Sequence, residues 1–167
     1  MASDPSSALG TQQIPFQPKT VSQVLGEITW LMTQSPVHKQ LFVGDLEWFA
    51  MPPILLEQFR VFYGPKPEGT PANATPTPAA VAFWAFVGPD TDARLEAGAH
   101  KLRPDEWKSG PQPWLIELIA PFGAQDEIIG DLATNVFKDK SFKFQMTGKD
   151  GSRRVVRSDE LPRPNKN

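Results

Sequence analysis

A chain of 167 residues with 40% hydrophobic and 22% charged residues is sized and composed for a single globular domain with a substantial core. Its formal net charge of -2 excludes an overall electrostatic attraction to nucleic acid or to an anionic membrane, so neither partner is expected. Because the sequence has no cysteine, disulfides, thiolate metal sites and cysteine nucleophiles are excluded as well. The two histidines, His38 and His100, are far apart in sequence, and no metal site is predicted from them.

The two ends of the chain are polar, and the sequence contains no membrane-spanning segment. No apolar stretch approaches the roughly 20 residues needed to cross a bilayer. The first twenty residues lack the basic start and apolar core of a secretory signal, so a cytoplasmic location is expected by default. We predict flexible tails at 1–19 and 159–167 around a single domain at 20–158.

The N-terminal third of the domain has the periodicity of helices. Apolar residues recur at three- and four-residue spacing over residues 21–31, which predicts a helix with one buried face. Ser35 and Pro36 then predict a new helical start, because serine is a favoured N-cap and proline fits a first turn. Residues 42–59 are predicted to be helical again, with a bend or break at the double proline 52–53.

The remainder of the domain is predicted to be mainly strands. Aromatic and β-branched residues indicate strands at 59–63 and 79–87, joined by a mobile hairpin loop at 64–78 that is rich in proline and threonine. A hairpin at 141–158 is expected to turn at Lys149-Asp150-Gly151, where Asp-Gly supplies the positive φ angles of a tight turn. Helices followed by a mostly antiparallel sheet with one inserted helix predict the α+β class. The other predicted segments are a short helix or irregular connection at 90–99, a strand at 113–121 and a helix at 124–137.

Two residues stand out as candidates for chemistry. His38 follows the predicted helical start, where the positive end of the helix dipole favours the neutral imidazole, a form that can accept a proton. Glu117 is a carboxylate among apolar residues in the stretch WLIELIAPFG. It has two interpretations, either the solvent face of an edge strand or the group that orients a histidine and stabilises its charged form.

Three stretches resemble the signature blocks of the RTX toxin-activating lysine acyltransferases of the haemolysin-activator type. They are VLGEITWLMTQSPVHKQLF, VAFWAF and EWKSGPQPWLIELIAPFG, and their order and spacing match over residues 20–160. The most specific pieces are Trp30 followed by Ser35-Pro36-x-His38, and the Trp-x-Ser-Gly at 107–110. The sequence is therefore identified as a member of this family.

The resemblance implies a GNAT-like fold that lacks the usual coenzyme A requirement, and an enzyme that moves a fatty acyl group from acyl carrier protein to internal lysines of an RTX protoxin. It places the family's essential histidine on His38 and its helpful serine on Ser35, which also has an interpretation as a helix cap. The family's catalytic aspartate falls on Glu117, one methylene longer. Lys39 stands where an arginine is more familiar.

The acidic carrier protein is expected to dock on a local basic surface. A second copy of this chain, forming a homodimer, is also among the possible partners. No cofactor is expected to be bound, since the acyl carrier protein is the donor substrate. The candidate contact residues, each of which has a simpler interpretation as solvated surface, are Lys39, Arg60, Lys101, Arg103 and Lys108.

Several alternatives stay open from the sequence. His38 acts either as the general base that deprotonates the lysine or as a nucleophile that forms an acyl-imidazole. An ordinary acetyl-CoA-dependent GNAT enzyme would need a Q/R-x-x-G-x-G/A loop after a strand. The nearest match, QVLGEI, ends in isoleucine and falls in a predicted helix. A GNAT-like interaction protein without activity is the third possibility, and the glutamate at 117 is its best support.

Overall fold

The computed structural model describes residues 18–65, 68–138 and 140–162 and confirms the α+β class. The helices are α1 (Val21–Gln34), α2 (Leu46–Phe49), α3 (Met51–Leu55), α4 (Pro89–Glu96) and α5 (Gln125–Asp131), and the strands are β1 (Phe59–Tyr63), β2 (Pro78–Val87), β3 (Gln112–Ile119), β4 (Lys143–Thr147) and β5 (Arg153–Arg157).

The strands form one sheet in the order β1-β2-β3-β4-β5. Three neighbouring pairs are antiparallel, and only β3 and β4 run parallel, so the prediction of a mostly antiparallel sheet is confirmed. The parallel pairing is short, with Trp114 opposite Lys143 and Leu115 opposite Phe144. β3 is the middle strand of five by order, but its pairing with β4 ends at Leu115, so at Glu117 the strand is paired only with β2. The interpretation of Glu117 as a strand residue that faces solvent stays a prediction.

Each face of the sheet carries its own apolar cluster. On the face that we call the α1 face, Ile28 and Leu31 of α1 pack against Phe83 of β2. On the opposite face, which we call the α5 face, Ile128 of α5 packs against Trp84. Adjacent residues of β2 thus enter opposite clusters, as expected for a strand that is covered on both sides.

A β-bulge interrupts the alternation of β3. Phe83 pairs with Glu117, but its neighbour Trp84 pairs with Leu115, so Ile116 is an extra residue on β3. Regular alternation would put Glu117 on the same face as Leu115, which belongs to the α5-face cluster. With the bulge, Ile116 and Glu117 both line one cavity on the α1 face.

Two local predictions need correction. The break in the second helical stretch falls at Ala50, between α2 and α3, rather than at the double proline, which occupies the first turn of α3. Proline fits there because the first-turn N–H groups have no partner within the helix. In the C-terminal hairpin only Gly151 has a positive φ, and the Gly148 N–H donates to the Ser152 carbonyl across a loop of three residues. The turn falls at residues 149–151 as predicted, but Asp150 lacks the positive φ expected of the Asp-Gly pair.

The Trp-x-Ser-Gly sequence at 107–110 is explained by backbone packing. Gly110 lies so close to Gly88 that a Cβ built on it would be 2.4 Å from the Gly88 Cα atom. The Ser109 hydroxyl accepts a hydrogen bond from the Gly88 N–H and donates one to the Glu106 carbonyl. This part of the family signature therefore joins two loops and does not supply reactive groups.

The predicted loop at 64–78 joins two antiparallel strands, and its positions 66–67 lie outside the described residues. Positions 1–17 and 163–167 of the predicted tails also lie outside them. Within the described part, Ser158–Glu160 forms a 3-10 helix, and Leu161 packs on the α5-face cluster. The GNAT-like arrangement of the fold and the flexibility of both tails stay predictions.

Candidate active site

His38 lies on a short segment that leaves the end of α1. Ser35 is the C-cap of α1, and its N–H donates to the Met32 carbonyl. The helical start predicted here is a 3-10 helix of three residues, His38–Gln40, so the expected dipole is that of a single turn. The Ser35 hydroxyl lies 3.5 Å from the His38 backbone nitrogen, a long contact, and its main partner is the His38 ring.

Both ring nitrogens of His38 have a neighbour. Nδ1 lies 2.6 Å from the Ser35 hydroxyl oxygen, a hydrogen bond between side chains only three positions apart. Nε2 lies 3.3 Å from Oε1 of Glu117, a distance typical of an ion pair and longer than a well-formed N–H···O hydrogen bond. The side chains of His38 and Glu117 are 13% and 31% exposed, so both can meet a substrate. The structure thus brings all three predicted catalytic residues together.

His38 and Glu117 lie at one end of a cavity of about 340 Å³ on the α1 face. Its walls are mainly apolar, and Trp48 and Phe49 pack edge to face in one of them. Asp45 holds Trp48 in place by accepting a hydrogen bond from its indole nitrogen. That hydrogen bond and a second from a backbone N–H lower the pKa of Asp45. The remaining apolar lining residues are Val37, Leu41, Leu102, Trp107 and Ile116.

The other lining residues of the cavity are polar or basic. Arg153, the first residue of β5, places a guanidinium nitrogen 3.5 Å from Nδ1 of His100. Gln145 of β4 donates both amide hydrogens to the carbonyls of Leu95 and Ala99, which fixes the loop that leads to His100. The cavity is therefore lined by a histidine–carboxylate pair, His38 with Glu117, and by a basic pair, His100 with Arg153, which we call its basic end.

Two of the basic residues predicted to face a carrier protein lie beside this cavity. Lys39 follows His38 directly and is exposed. The ammonium nitrogen of Lys101 lies 4.3 Å from the centre of the Trp48 ring, the distance of a cation–π contact.

The other predicted basic residues are placed differently. Arg60 lies on the α5 face, 3.4 Å from the carboxylate of Asp131. Arg103 forms ion pairs with Asp105 and Glu106. The structure therefore does not gather all of these cations on one surface, and a carrier-protein contact stays a prediction for each of them, Lys108 included.

The sequence analysis did not predict the basic end of the cavity or the β-bulge that places Glu117 on the α1 face. His100 and Arg153 are 53 positions apart and belong to no motif, so only the fold brings them together. The bulge in β3 leaves no signal either, because apolar residues surround Glu117 on both sides in sequence.

Two searches of the described residues complete the description of the site. Within the described ranges, no group of three or more His, Asp or Glu side chains is placed to hold a metal ion. Among the helices of the described part, none is long and apolar enough to cross a membrane.

The His38 imidazole has a hydroxyl at one nitrogen and a carboxylate beside the other, and it lines a mainly apolar cavity. Such an arrangement can deprotonate a nucleophile. The fold and the site thus define an α+β enzyme with a histidine–carboxylate centre. Residues 17–159 match the model of the RTX toxin acyltransferase family, and the chain belongs to that family.

Relatives with described activities are similar over much of the chain. The lysine-acyltransferase RtxC of Vibrio cholerae is 32% identical over 119 residues, 70% of this chain and 71% of that protein. The leukotoxin-activating lysine-acyltransferase LktC of a Pasteurella haemolytica-like species is 28% identical over 66% of this chain and 61% of its own length. The RTX-II toxin-activating lysine-acyltransferase ApxIIC of Actinobacillus pleuropneumoniae is 32% identical over 60% and 56%. The chain is therefore an acyltransferase by family.

Proposed function

We propose that this protein transfers a fatty acyl group from the thioester of acyl carrier protein to lysine side chains of an RTX protoxin. Membership of the RTX toxin acyltransferase family supports the reaction class, and relatives described as toxin-activating lysine acyltransferases support the acceptor. The observation that carries the proposal is the geometry of His38, with Ser35 on Nδ1 and Glu117 beside Nε2.

Deprotonation of the acceptor is the first step. A lysine side chain with an ordinary pKa near 10.4 is an ammonium at pH 7 and cannot attack a thioester. Nε2 of His38 and Oε1 of Glu117 are 3.3 Å apart, so one ammonium nitrogen can donate hydrogen bonds to both atoms. Glu117 attracts the cation, and Nε2 takes its proton.

The tautomer of His38 decides whether Nε2 can act as the base. A serine hydroxyl can donate or accept, and base catalysis by Nε2 requires the tautomer in which Nδ1–H donates to the Ser35 oxygen at 2.6 Å, because only then does Nε2 carry the lone pair. This assigns the orienting role to Ser35, whereas the sequence had suggested Glu117 for it. Glu117 stabilises the imidazolium that forms when Nε2 is protonated.

Acyl transfer then follows without any further reagent. The neutral amine attacks the thioester carbonyl, the C–N bond forms and the C–S bond breaks. Nε2 passes its proton to the departing thiolate, and the attacking nitrogen releases a second proton to solvent as the amide forms, so His38 and Glu117 return to their starting charge states. The products are an amide on the lysine and the free thiol of the carrier protein.

The choice of donor is supported by where the nearest coenzyme A-like sequence lies. Residues 23–28, QVLGEI, are part of α1 and do not follow a strand. A pyrophosphate loop of the ordinary acetyltransferases needs the reverse order, a strand before the loop and a helix after it. The acetyl-CoA-dependent reaction therefore has no phosphate-binding loop in this segment.

The proposal is tested with purified protein, acyl carrier protein loaded with fatty acyl chains, and an RTX protoxin as acceptor. Acylated lysines are identified by mass spectrometry of the protoxin. His38→Ala should abolish acylation, whereas Gln40→Ala, in the same 3-10 helix, should retain it. Substantial activity in a folded His38→Ala variant would remove His38 from the mechanism.

The donor and the order of steps are tested in the same system. Acyl carrier protein should be used well and free acyl-CoA poorly, and the rate should fall with added salt because the partner is acidic. Efficient turnover of acyl-CoA that is insensitive to salt would favour the ordinary acetyltransferase reaction instead. With donor but without acceptor, no acyl group should appear on His38; its detection by mass spectrometry would establish the acyl-imidazole route.

A further inference from the structure

We infer that the basic end of the cavity, formed by His100 and Arg153, selects acceptor segments that carry an acidic side chain close to the target lysine. This inference rests on the proposed lysine acylation and adds the sequence class of the acceptor. The juxtaposition that carries it is one cavity lined both by the His38–Glu117 pair and by a guanidinium, that of Arg153, without a carboxylate partner.

Arg153 is a cation without an anionic partner. Its one recorded side-chain contact is with the His100 ring, at 3.5 Å. Within residues 18–65, 68–138 and 140–162, no carboxylate lies at ion-pair distance from its guanidinium, although most other arginines there have one. A guanidinium has five N–H donors in a planar fork, so Arg153 can still bind a carboxylate through two of them.

His100 adds a second donor at the same place. A guanidinium only donates hydrogen bonds, so Nδ1 of His100 must be the acceptor, and the proton of the neutral ring lies on Nε2. The Nε2–H is then a donor beside the guanidinium. Gln145 anchors the loop that leads to His100 through the carbonyls of Leu95 and Ala99, so the backbone beside this exposed ring is held by the fold.

The cavity is assigned to the acceptor because His38 and Glu117 also line it. A carboxylate beside an unprotonated imidazole nitrogen suits a cation that will lose its proton, which among the two substrates is the lysine. The apolar walls between the two ends suit the methylene stem of that lysine. The basic end therefore meets residues next to the lysine in the acceptor chain, and charge complementarity selects acidic ones.

The test uses synthetic acceptor peptides with one lysine in an alanine–serine host. A single glutamate is placed at each position from four before to four after the lysine, with matched peptides that carry glutamine or arginine there. With acyl carrier protein as donor, at least one position should rank glutamate above glutamine above arginine in kcat/KM. Each step should be about two- to fivefold, the range of a partly exposed ion pair.

Charge reversal at the basic end should reverse the ranking. Arg153→Glu should prefer the peptide with arginine at the same position, and Arg153→Gln should show no preference. Arg154→Glu is the matched control: it makes the same change of charge one residue along the strand, opposite Met146, which packs on the α5 face. It should keep the wild-type ranking. Far-UV circular dichroism and thermal melting confirm that all three variants are folded.

Three results would overturn the inference. Equal kcat/KM for all peptides with the wild type would do so, as would identical effects of the Arg153 and Arg154 substitutions. A rise in KM for the acyl carrier protein in Arg153→Glu, with unchanged peptide ranking, would also overturn it and assign the basic end to the donor.

The inference can be separated from the proposed reaction by measuring binding alone. Fluorescence anisotropy of labelled peptides, without donor, should give the same ranking of affinities and the same reversal in Arg153→Glu. If acylation fails with every donor but this ranking is observed, the reaction is wrong and the acidic-segment site stands. If acylation proceeds and neither kcat/KM nor affinity depends on the flanking charge, the site is wrong and the reaction stands.

Discussion

Replacing Glu117 by glutamine tests the role of charge at the active site. Glutamine keeps the length of the side chain, and its amide oxygen can still accept the hydrogen bond that Oε1 receives from the Leu118 N–H. The substitution removes only the negative charge that faces Nε2 of His38. If Glu117 stabilises the imidazolium, acyl transfer should slow although the fold is unchanged.

The distance between the two groups sets the expected size of the effect. Unit charges 3.3 Å apart interact by about 1 kcal/mol in water and about 5 kcal/mol at an effective dielectric constant of about 20. Because about a third of the Glu117 side chain is exposed, we expect a value between these limits, about 2–3 kcal/mol. This corresponds to a fall in kcat/KM of about 30- to 150-fold.

The assay compares initial rates of lysine acylation for the wild type, Glu117→Gln and Glu117→Asp. Aspartate keeps the charge but draws the carboxylate back by about 1.5 Å, so it should be impaired less than glutamine. Glu47→Gln, an exposed carboxylate on α2, is the control and should have wild-type activity. A fully active Glu117→Gln variant would refute the reasoning. An inactive wild type that aspartate rescues would instead identify a decayed site.

Three further predictions concern the ring and the fold. Ser35→Ala removes the partner of Nδ1 and should lower kcat by about 10- to 100-fold in the acylation assay. Gly110→Ala forces the backbone away from Gly88 and should lower the free energy of unfolding, measured in urea, by about 1–3 kcal/mol. Hydrogen bonds and charge from Arg94 lower the pKa of Glu106, so Glu106→Gln should destabilise the protein above the ordinary carboxyl pKa of 4.5, with the difference from wild type shrinking as the pH falls below it.

Each of these has an outcome that contradicts it. An unchanged kcat in Ser35→Ala would show that the tautomer of His38 is fixed by another group. Gly26→Ala, at an open position in α1, is the control for Gly110 and should be stabilising by about 0.5–1 kcal/mol; equal effects at both glycines would refute the close-packing argument. A Glu106→Gln difference that is independent of pH would show that the ion pair does not contribute.

The sequence predicted those parts of the fold that depend on short-range patterns. Helical periodicity predicted α1, and aromatic and β-branched runs predicted the strands, because burial of one or both faces leaves a period in the sequence. The double proline misled because proline is disruptive inside a helix but fits its first turn, which is where Pro52 and Pro53 lie. The Asp-Gly pair predicted the place of the turn but not its backbone angles, because this three-residue loop needs a positive φ at its glycine alone.

The candidate site likewise has one contact that a short sequence motif predicts and two that only the folded sheet creates. The contact between Ser35 and His38 joins residues three apart, so a short motif carries it, and the family resemblance found it. The approach of Glu117 depends on an extra residue in the middle strand, and apolar neighbours hide that residue from any reading of alternation. The meeting of His100 with Arg153 depends on the hairpin of β4 and β5, which no local pattern links to the loop after α4.

The bulge explains why a carboxylate can stand in the middle of a sheet whose two faces are both covered. If β3 alternated regularly through Ile116, with no bulge, Glu117 would lie on the α5 face among apolar side chains, where an unpaired charge is strongly unfavourable. With it, the carboxylate opens into a cavity, reaches Nε2 of His38 and keeps a third of its surface exposed. The same extra residue therefore removes a penalty for folding and creates the charge that acyl transfer uses. The contact between Ser35 and His38 is thus encoded in a short stretch of sequence, whereas the approach of Glu117 requires the assembled sheet.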